Sequence, residues 1–130
     1  MRIDDALISA LVPNAATPPD PLCEVHVHHL GGAVAAMPAY ASAFVHRDAP
    51  FFINTIGHAQ AAEKFTEVRE WARGLRSSLA PWARDGVQAN FSGDASDWHV
   101  RTHDAATRAR LENLRRKYDP AGLLLPARSD

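Results

Sequence analysis

The chain has 130 residues, a length that suits one domain, and 46% of them are hydrophobic and 22% charged. The formal net charge is −1 and there is a single cysteine, so an internal disulfide is excluded and a reducing cytoplasm fits. The N-terminus lacks the charge pattern of a secretory signal, and no run of about 18 apolar residues occurs. We therefore expect a cytoplasmic protein with neither a nucleic-acid nor a membrane partner.

The first predicted element is a short helix in "IDDALISAL" (3–11). Asp4 and Asp5 stand at its start, where the helix dipole favours negative charge. The following "VPNAATPPDP" (12–21) contains four prolines, which predict a connector that ends the helix.

The stretch "LCEVHVHHL" (22–30) alternates between apolar and polar residues, as a strand with one buried face does. Cys23, Val25 and Val27 would lie on the core face, and Glu24, His26 and His28 on the other. The next residues, "AVAAM" (33–37), are expected to continue this strand beyond a double glycine.

Three further strands are predicted at 43–47, 51–57 and 86–91, together with a helix over 59–80 and another over about 104–118. The helix over 59–80 carries an apolar stripe at helical spacing: Phe65, Val68, Ala72, Leu75 and Leu79. "GDASD" (93–97) is predicted to be a polar turn. The fold class is therefore α+β: one domain of residues 1–130, with an antiparallel sheet of about four strands and helices on one face.

His26 and His28 share a strand face and are our candidates for a catalytic acid–base role. A solvated polar face, a ligand contact and a metal site all remain open, but residues spaced along one strand converge poorly on an ion, so no metal site is predicted. Cys23 falls on the apolar face and is expected to be an inert buried thiol.

The basic run "RARLENLRRK" (108–117) keeps an apolar stripe of Leu111, Leu114 and Tyr118. We interpret its charges as the solvated face of a packed helix, with an anion contact as the alternative.

Four stretches, "HHLGGAVA", "AFVHRDAPFFIN", "GVQANFSGD" and "RLENLRRKYDP", resemble the C-terminal part of FAD-linked oxidases related to berberine bridge enzyme. They follow the family's order and spacing from about residue 3 onward. The resemblance implies a part of the substrate domain without the flavin domain. It also implies that the sheet face away from the helices is the one that meets flavin and substrate.

The resemblance places candidate substrate-binding residues on or near that face: Glu24, Arg47, Asn54, Gln88 and Asn90. Asn90 matches the asparagine of the family's Asn-aromatic pair. Gln88, Asn90 or Arg47 would stabilise developing charge while a histidine accepts a proton.

The sequence departs from the family where relatives meet the flavin domain. Ala36 stands where plant enzymes place a glutamate base, "DAAT" (104–107) replaces Tyr-Gly-x-Asn, and Gly122 and Leu124 replace an asparagine and a phenylalanine. We expect that the chain alone binds no cofactor and is colourless, and that FAD enters only if a separate flavin domain supplies it.

Three functions follow from this interpretation. The chain is a stand-alone small-molecule-binding protein, with or without a flavin-independent isomerase or cyclase activity in secondary metabolism; or it is a subunit of a split FAD-linked oxidoreductase; or it is a non-catalytic remnant. Whether it is an enzyme stays open, and oxidation would need the cofactor. In full-length relatives, further strands and the flavin domain cover this sheet. Because the resemblance implies that they are absent here, we also expect a homodimer formed through the sheet.

Overall fold

A computed structural model describes residues 3–91 and 101–124. The predicted turn at 93–97 lies outside these residues. The chain divides into two compact units, one formed by Met1–Gly32 with Ala49–Arg84 and the other by Ala33–Asp48 with Asp85–Asp130. The assignment of residues 1–130 to a single domain stays a prediction.

The first unit begins with helix α1, Asp5–Ala16. Asp4 caps it, because its side-chain oxygen accepts a hydrogen bond of 2.8 Å from the Leu7 N–H. The helix continues through Pro13, so the prediction that it ends before residue 12 is wrong. Two side-chain hydrogen bonds engage the helix backbone on either side of that proline. The Asn14 amide donates to the Ala10 carbonyl (2.9 Å), and the Trp71 indole N–H donates to the Asn14 carbonyl (2.9 Å).

Strands β1 (Glu24–His29) and β2 (Phe51–Ile56) form an antiparallel pair. His26 lies opposite Asn54, and Val27 lies opposite Ile53. The core face carries Val25 and Ile53, which are half-buried against the core. Val27 belongs to the same face by alternation but is 45% exposed, so the expectation that a helix covers it is wrong.

Helix α3, Phe65–Ser78, supplies most of the first unit's core. Leu75 is 1% exposed and packs with Leu7 of α1 and with Leu79. The predicted helix over 59–80 is thus present but shorter. Phe65, assigned to its buried stripe, is 57% exposed because it stands at the first position, beyond the reach of the core.

The second unit contains a short helix α2, Ala33–Ala36, and helix α4, Ala105–Tyr118. The prediction that 33–37 extends β1 is wrong: Gly32 has a φ of +61°, which turns the chain, and the alanine-rich stretch then favours helix. Helix α4 agrees with the predicted 104–118, and Asp104 caps it by accepting from the Thr107 N–H at 2.7 Å.

The predicted strands at 43–47 and 86–91 are not formed, so the sheet has two strands among the described residues rather than about four. In the first segment the Ala43 carbonyl accepts a hydrogen bond from the His103 ring N–H (3.0 Å), so a side chain takes the place of a partner strand there. In the second segment, Ala89–Phe91 closes into a 3-10 turn.

The prediction of a protein that combines helices with an antiparallel sheet is confirmed. In the first unit, the core joins α1 and α3 to one face of that sheet. No helix in the described ranges combines the length and the apolar composition that a membrane crossing requires.

Candidate functional site: the histidine face of the strand pair

Cross-strand pairing fixes which side chains share the face turned away from the core. Glu24 lies opposite Ile56, His26 opposite Asn54 and His28 opposite Phe52, and residues paired in this way project to the same side of a sheet. The predicted separation of His26 and His28 from Val25 is therefore confirmed. We call this surface the histidine face; its members are Glu24, His26, His28, Phe52, Asn54 and Ile56.

Glu24 and His26 form the strongest polar contact of this face. The His26 Nε2 atom lies 2.7 Å from Glu24 Oε2, and the two side chains are 42% and 57% exposed. When Nε2–H donates to the carboxylate, the neutral ring presents Nδ1 as a proton acceptor. A histidine oriented by a carboxylate is the arrangement that general-base catalysis uses.

The aromatic part of the face surrounds His28. Its ring centroid lies 5.8 Å from that of His26, edge to face, and 5.7 Å from the Phe52 ring. These separations are within the range of favourable aromatic pairs. Together the rings form a partly exposed surface against which a flat ligand can stack.

Asn54 adds to this face a buried amide donor that lacks a hydrogen-bond acceptor. The residue is 8% exposed, and its Nδ2 atom is buried without a hydrogen-bond partner. A buried donor without an acceptor costs about 1–3 kcal/mol. A ligand oxygen that displaces the groups covering Nδ2 would recover that energy, which makes Asn54 a candidate for orienting a ligand.

The other predicted substrate-binding residues lie in the second unit. Because 86–91 is not a strand, Gln88 and Asn90 do not belong to the histidine face. Gln88 lines a small open cavity of about 140 Å³ with Phe44 and His103, whereas Asn90 is exposed on the 3-10 turn. The structure therefore brings Glu24, His26, His28 and Asn54 together within one unit.

Arg47 has a structural environment in the second unit. Its guanidinium donates to the Val34 carbonyl and the Ser42 hydroxyl and lies 5.3 Å from the centre of the Phe44 ring. The Nε atom is buried without a partner, as is Nε2 of His46. These contacts describe a residue that holds the 33–48 segment together.

No binding role was predicted for Phe52, although the alternation of "FFINTIG" places it on the same face as Asn54 and Ile56. The cross-strand register adds that Phe52 lies directly opposite His28.

Metal-binding geometry is not found among residues 3–91 and 101–124, where no three His, Cys, Asp or Glu side chains cluster closely enough to hold an ion. Cys23 is 8% exposed, and its thiol lies 3.6 Å from the His58 carbonyl, a weak hydrogen bond in a covered position.

The chain matches no protein-family model and no curated protein. The resemblance to berberine bridge enzyme relatives consequently stays a prediction.

Proposed function

We propose that this protein binds a small molecule on the histidine face and is derived from the substrate domain of an FAD-linked oxidase of the berberine bridge type. The observation that carries the proposal is the 2.7 Å contact between Glu24 and His26, on the same face as the unpaired Asn54 amide. An oriented proton acceptor beside an unused donor is a polar arrangement suited to a ligand rather than to packing.

The chemistry of the face favours an aromatic ligand that carries a hydroxyl group. The rings of His28 and Phe52 offer a stacking surface, His26 Nδ1 accepts a hydrogen bond, and the Asn54 amide donates one once the ligand uncovers its buried Nδ2 atom. A phenolic compound meets all three requirements.

The same groups support a proton transfer. His26 Nδ1 would take a proton from the ligand, the Glu24 carboxylate would stabilise the imidazolium, and the ring would return the proton at another ligand atom. This sequence isomerises or cyclises a ligand without net oxidation. We infer that the chain alone binds no FAD, and that oxidation would require a separately encoded flavin domain.

A homodimer through the sheet and a cytoplasmic location complete the proposal. Each strand of a two-stranded sheet has one outer edge with backbone groups available for pairing, and proteins rarely leave such edges bare. Pairing between two copies would also bring two histidine faces into one assembly.

The test is ligand titration of isotopically labelled protein, followed through the ring signals of the histidines. We expect p-cresol to shift the signals of His26 and His28 but not those of His29, which lies on the other face of β1 and stacks with Phe51 at 5.2 Å. Toluene, which lacks the hydroxyl group, should cause smaller shifts.

The matched variants are His28→Asn and His29→Asn, the same substitution on opposite faces of one strand. His28→Asn should weaken p-cresol binding by about 2- to 10-fold, since stacking on an aromatic side chain contributes about 0.5–1.5 kcal/mol. Equal loss in both variants, or no saturable shift in the wild type, contradicts the proposal.

A further inference from the structure

The second unit contains a small cavity that shares no residue with the histidine face. It is open to solvent and has a volume of about 140 Å³. Its walls come from segments 43–44, 88–89 and 102–103 of that unit, and the lining residues are Ala43, Phe44, Gln88, Ala89, Thr102 and His103. A cavity of about 150 Å³ can enclose one benzene molecule. The volume therefore suits a ligand with a single ring.

Hydrogen bonds between the wall segments hold the cavity together. The Val87 N–H donates to the Arg101 carbonyl (3.3 Å), which joins the second wall segment to the third. The His103 ring donates to the Ala43 carbonyl (3.0 Å), which joins the third segment to the first. The walls are therefore in place before a ligand arrives, as they usually are in small-molecule sites.

His103 offers one ring nitrogen to a ligand. Because a carbonyl oxygen can only accept, Nδ1 carries the proton in the contact with Ala43, and Nε2 of the neutral ring is then an acceptor. The other hydrogen bond of His103 is made by its backbone carbonyl, which accepts from Arg108 at 2.6 Å. Nε2 thus has no partner within residues 3–91 and 101–124.

The His103 Nε2 atom is also accessible. In the described part of the chain, the buried side-chain nitrogens and oxygens without a hydrogen bond belong to His46, Arg47 and Asn54, and His103 is not among them. An unpartnered nitrogen that is not buried is within reach of a molecule in the cavity. His103 therefore supplies an oriented acceptor at the cavity wall.

The remaining walls are largely apolar. Phe44 contributes an aromatic ring, and two alanines contribute methyl groups. Gln88 and Thr102 take part in contacts of their own, so the acceptor that a ligand can use is His103 Nε2. An apolar cavity with one oriented polar group is the arrangement of a small-molecule site.

We propose that this cavity is a second ligand site, which binds an uncharged single-ring aromatic compound of the phenol class. The hydroxyl group donates to His103 Nε2, and the ring packs against Phe44. The volume sets an upper limit on ligand size that the open histidine face does not impose. The proposal stands independently of binding at the histidine face, because the two sites have no residue in common.

Titration of the isotopically labelled full-length chain with phenol tests the proposal. The methyl signals of Ala43 and Ala89 and the ring signals of His103 should shift and saturate together. Benzene, which lacks the hydroxyl group, should bind more weakly, and 2-naphthol, which has two fused rings, should leave these signals unchanged. Absence of a saturable shift with phenol, or an equal response to 2-naphthol, overturns the proposal. Binding at the histidine face is followed separately through His26 and His28.

Substitution of His103 tests the assigned hydrogen bond. In His103→Asn, the amide nitrogen takes the place of Nδ1 and keeps a donor for the Ala43 carbonyl, but Nε2 is removed. Phenol binding, followed through the Ala43 methyl group, should weaken by about 2- to 10-fold, the factor that one hydrogen bond contributes. Benzene binding should not change, so the preference for phenol is lost.

The matched control for this substitution is His29→Asn in the first unit, which should leave phenol binding in the cavity unchanged. If His103→Asn weakened phenol and benzene binding equally, His103 would only support the cavity walls, and the assigned hydrogen bond would be wrong.

A second pair of variants tests the place of binding. Ala89 and Asn90 are exposed neighbours on one 3-10 turn, and Ala89 lines the cavity whereas Asn90 does not. Ala89→Leu should fill the cavity and abolish the phenol response of the Ala43 methyl group, and Asn90→Leu should retain it. Circular dichroism establishes that both variants are folded. Equal effects of the two substitutions would show that phenol does not bind in this cavity.

Discussion

At the scale of single residues, Asp20 shows how one carboxylate joins two segments of the first unit. It is 4% exposed, and its oxygens accept hydrogen bonds from the N–H groups of Leu22 (3.0 Å) and Gln60 (3.1 Å). Leu22 precedes β1, and Gln60 follows β2. The backbone hydrogen bonds from Leu22 and Gln60 lower the pKa of Asp20 below its ordinary value, because they stabilise the charged form.

This lowered pKa predicts a pH dependence of stability. The contribution of Asp20 is present above the pKa of the unfolded chain, about 3.9, and is lost as the pH falls through the lower pKa of the folded state. Replacing Asp20 with Asn should therefore lower stability near neutral pH and flatten its decline below about pH 4. Urea denaturation across this pH range measures both effects. Parallel curves for the variant and the wild type would contradict the prediction.

At the scale of elements, helix α3 contains both buried and exposed members of one predicted stripe. Leu75 is 1% exposed and belongs to the core cluster, whereas Phe65 is 57% exposed at the first turn. Helical periodicity places both on one face, but only part of that face meets α1 and the sheet.

The two positions allow a controlled test of the core. Leu75→Ala should lower the free energy of unfolding by about 2–5 kcal/mol, because it removes buried methyl groups and leaves a cavity. Phe65→Ala should cost at most about 1 kcal/mol, since more than half of that side chain already meets solvent. Urea denaturation followed by circular dichroism gives both values. A larger cost at Phe65 than at Leu75 would show that the core is assigned incorrectly.

Patterns within a few residues were sufficient to predict the helices and strands in which apolar residues recur at regular spacing. The alternation of "CEVHVHH" correctly placed His26 and His28 on one face, and the spacing of Leu75 and Leu79 correctly indicated the core side of α3. The helix predicted over about 104–118 likewise agrees with α4. In each case the signal lies within a few residues along the chain.

The remaining features depend on contacts that are distant in sequence. Residues 43–47 have the apolar pattern of a strand, but the Ala43 carbonyl accepts a hydrogen bond from the His103 side chain. Pro13 read as the end of α1, but Asn14 and Trp71 stabilise the helix around it. Periodicity also identified the stripe of Leu111, Leu114 and Tyr118 without indicating whether anything covers it. For the site, the pattern predicted the histidines but not that Phe52 lies opposite His28, because that pairing depends on strand register.

At the scale of the whole molecule, the two-stranded sheet is the basis for the expected homodimer. Two strands with a polar outer face bury little surface, and no further strand within residues 3–91 and 101–124 pairs with either edge. Association of two copies through the sheet would satisfy these backbone groups and cover part of the histidine face.

We expect light scattering at micromolar concentration to give twice the 14.2 kDa of one chain. Such a dimer should bury at least about 1,000 Å² in total. Absorbance of the same sample should show no flavin bands. His28→Asp, which adds a charge to the proposed interface, should shift the equilibrium toward monomer, whereas Asn113→Asp on α4 should not. A monomeric wild type would contradict the proposed association.

The division of the chain between its two units has a consequence for synthesis on the ribosome. Segment 33–48 emerges between β1 and β2, yet it belongs to the unit that is completed only by residues after 84. The first unit can therefore fold as soon as Arg84 has emerged, with 33–48 as a loop between its strands. Until His103 has been synthesised, the Ala43 carbonyl lacks the ring N–H that donates a hydrogen bond to it in the folded chain. Vectorial synthesis thus permits an order in which the histidine face forms before the second unit is complete.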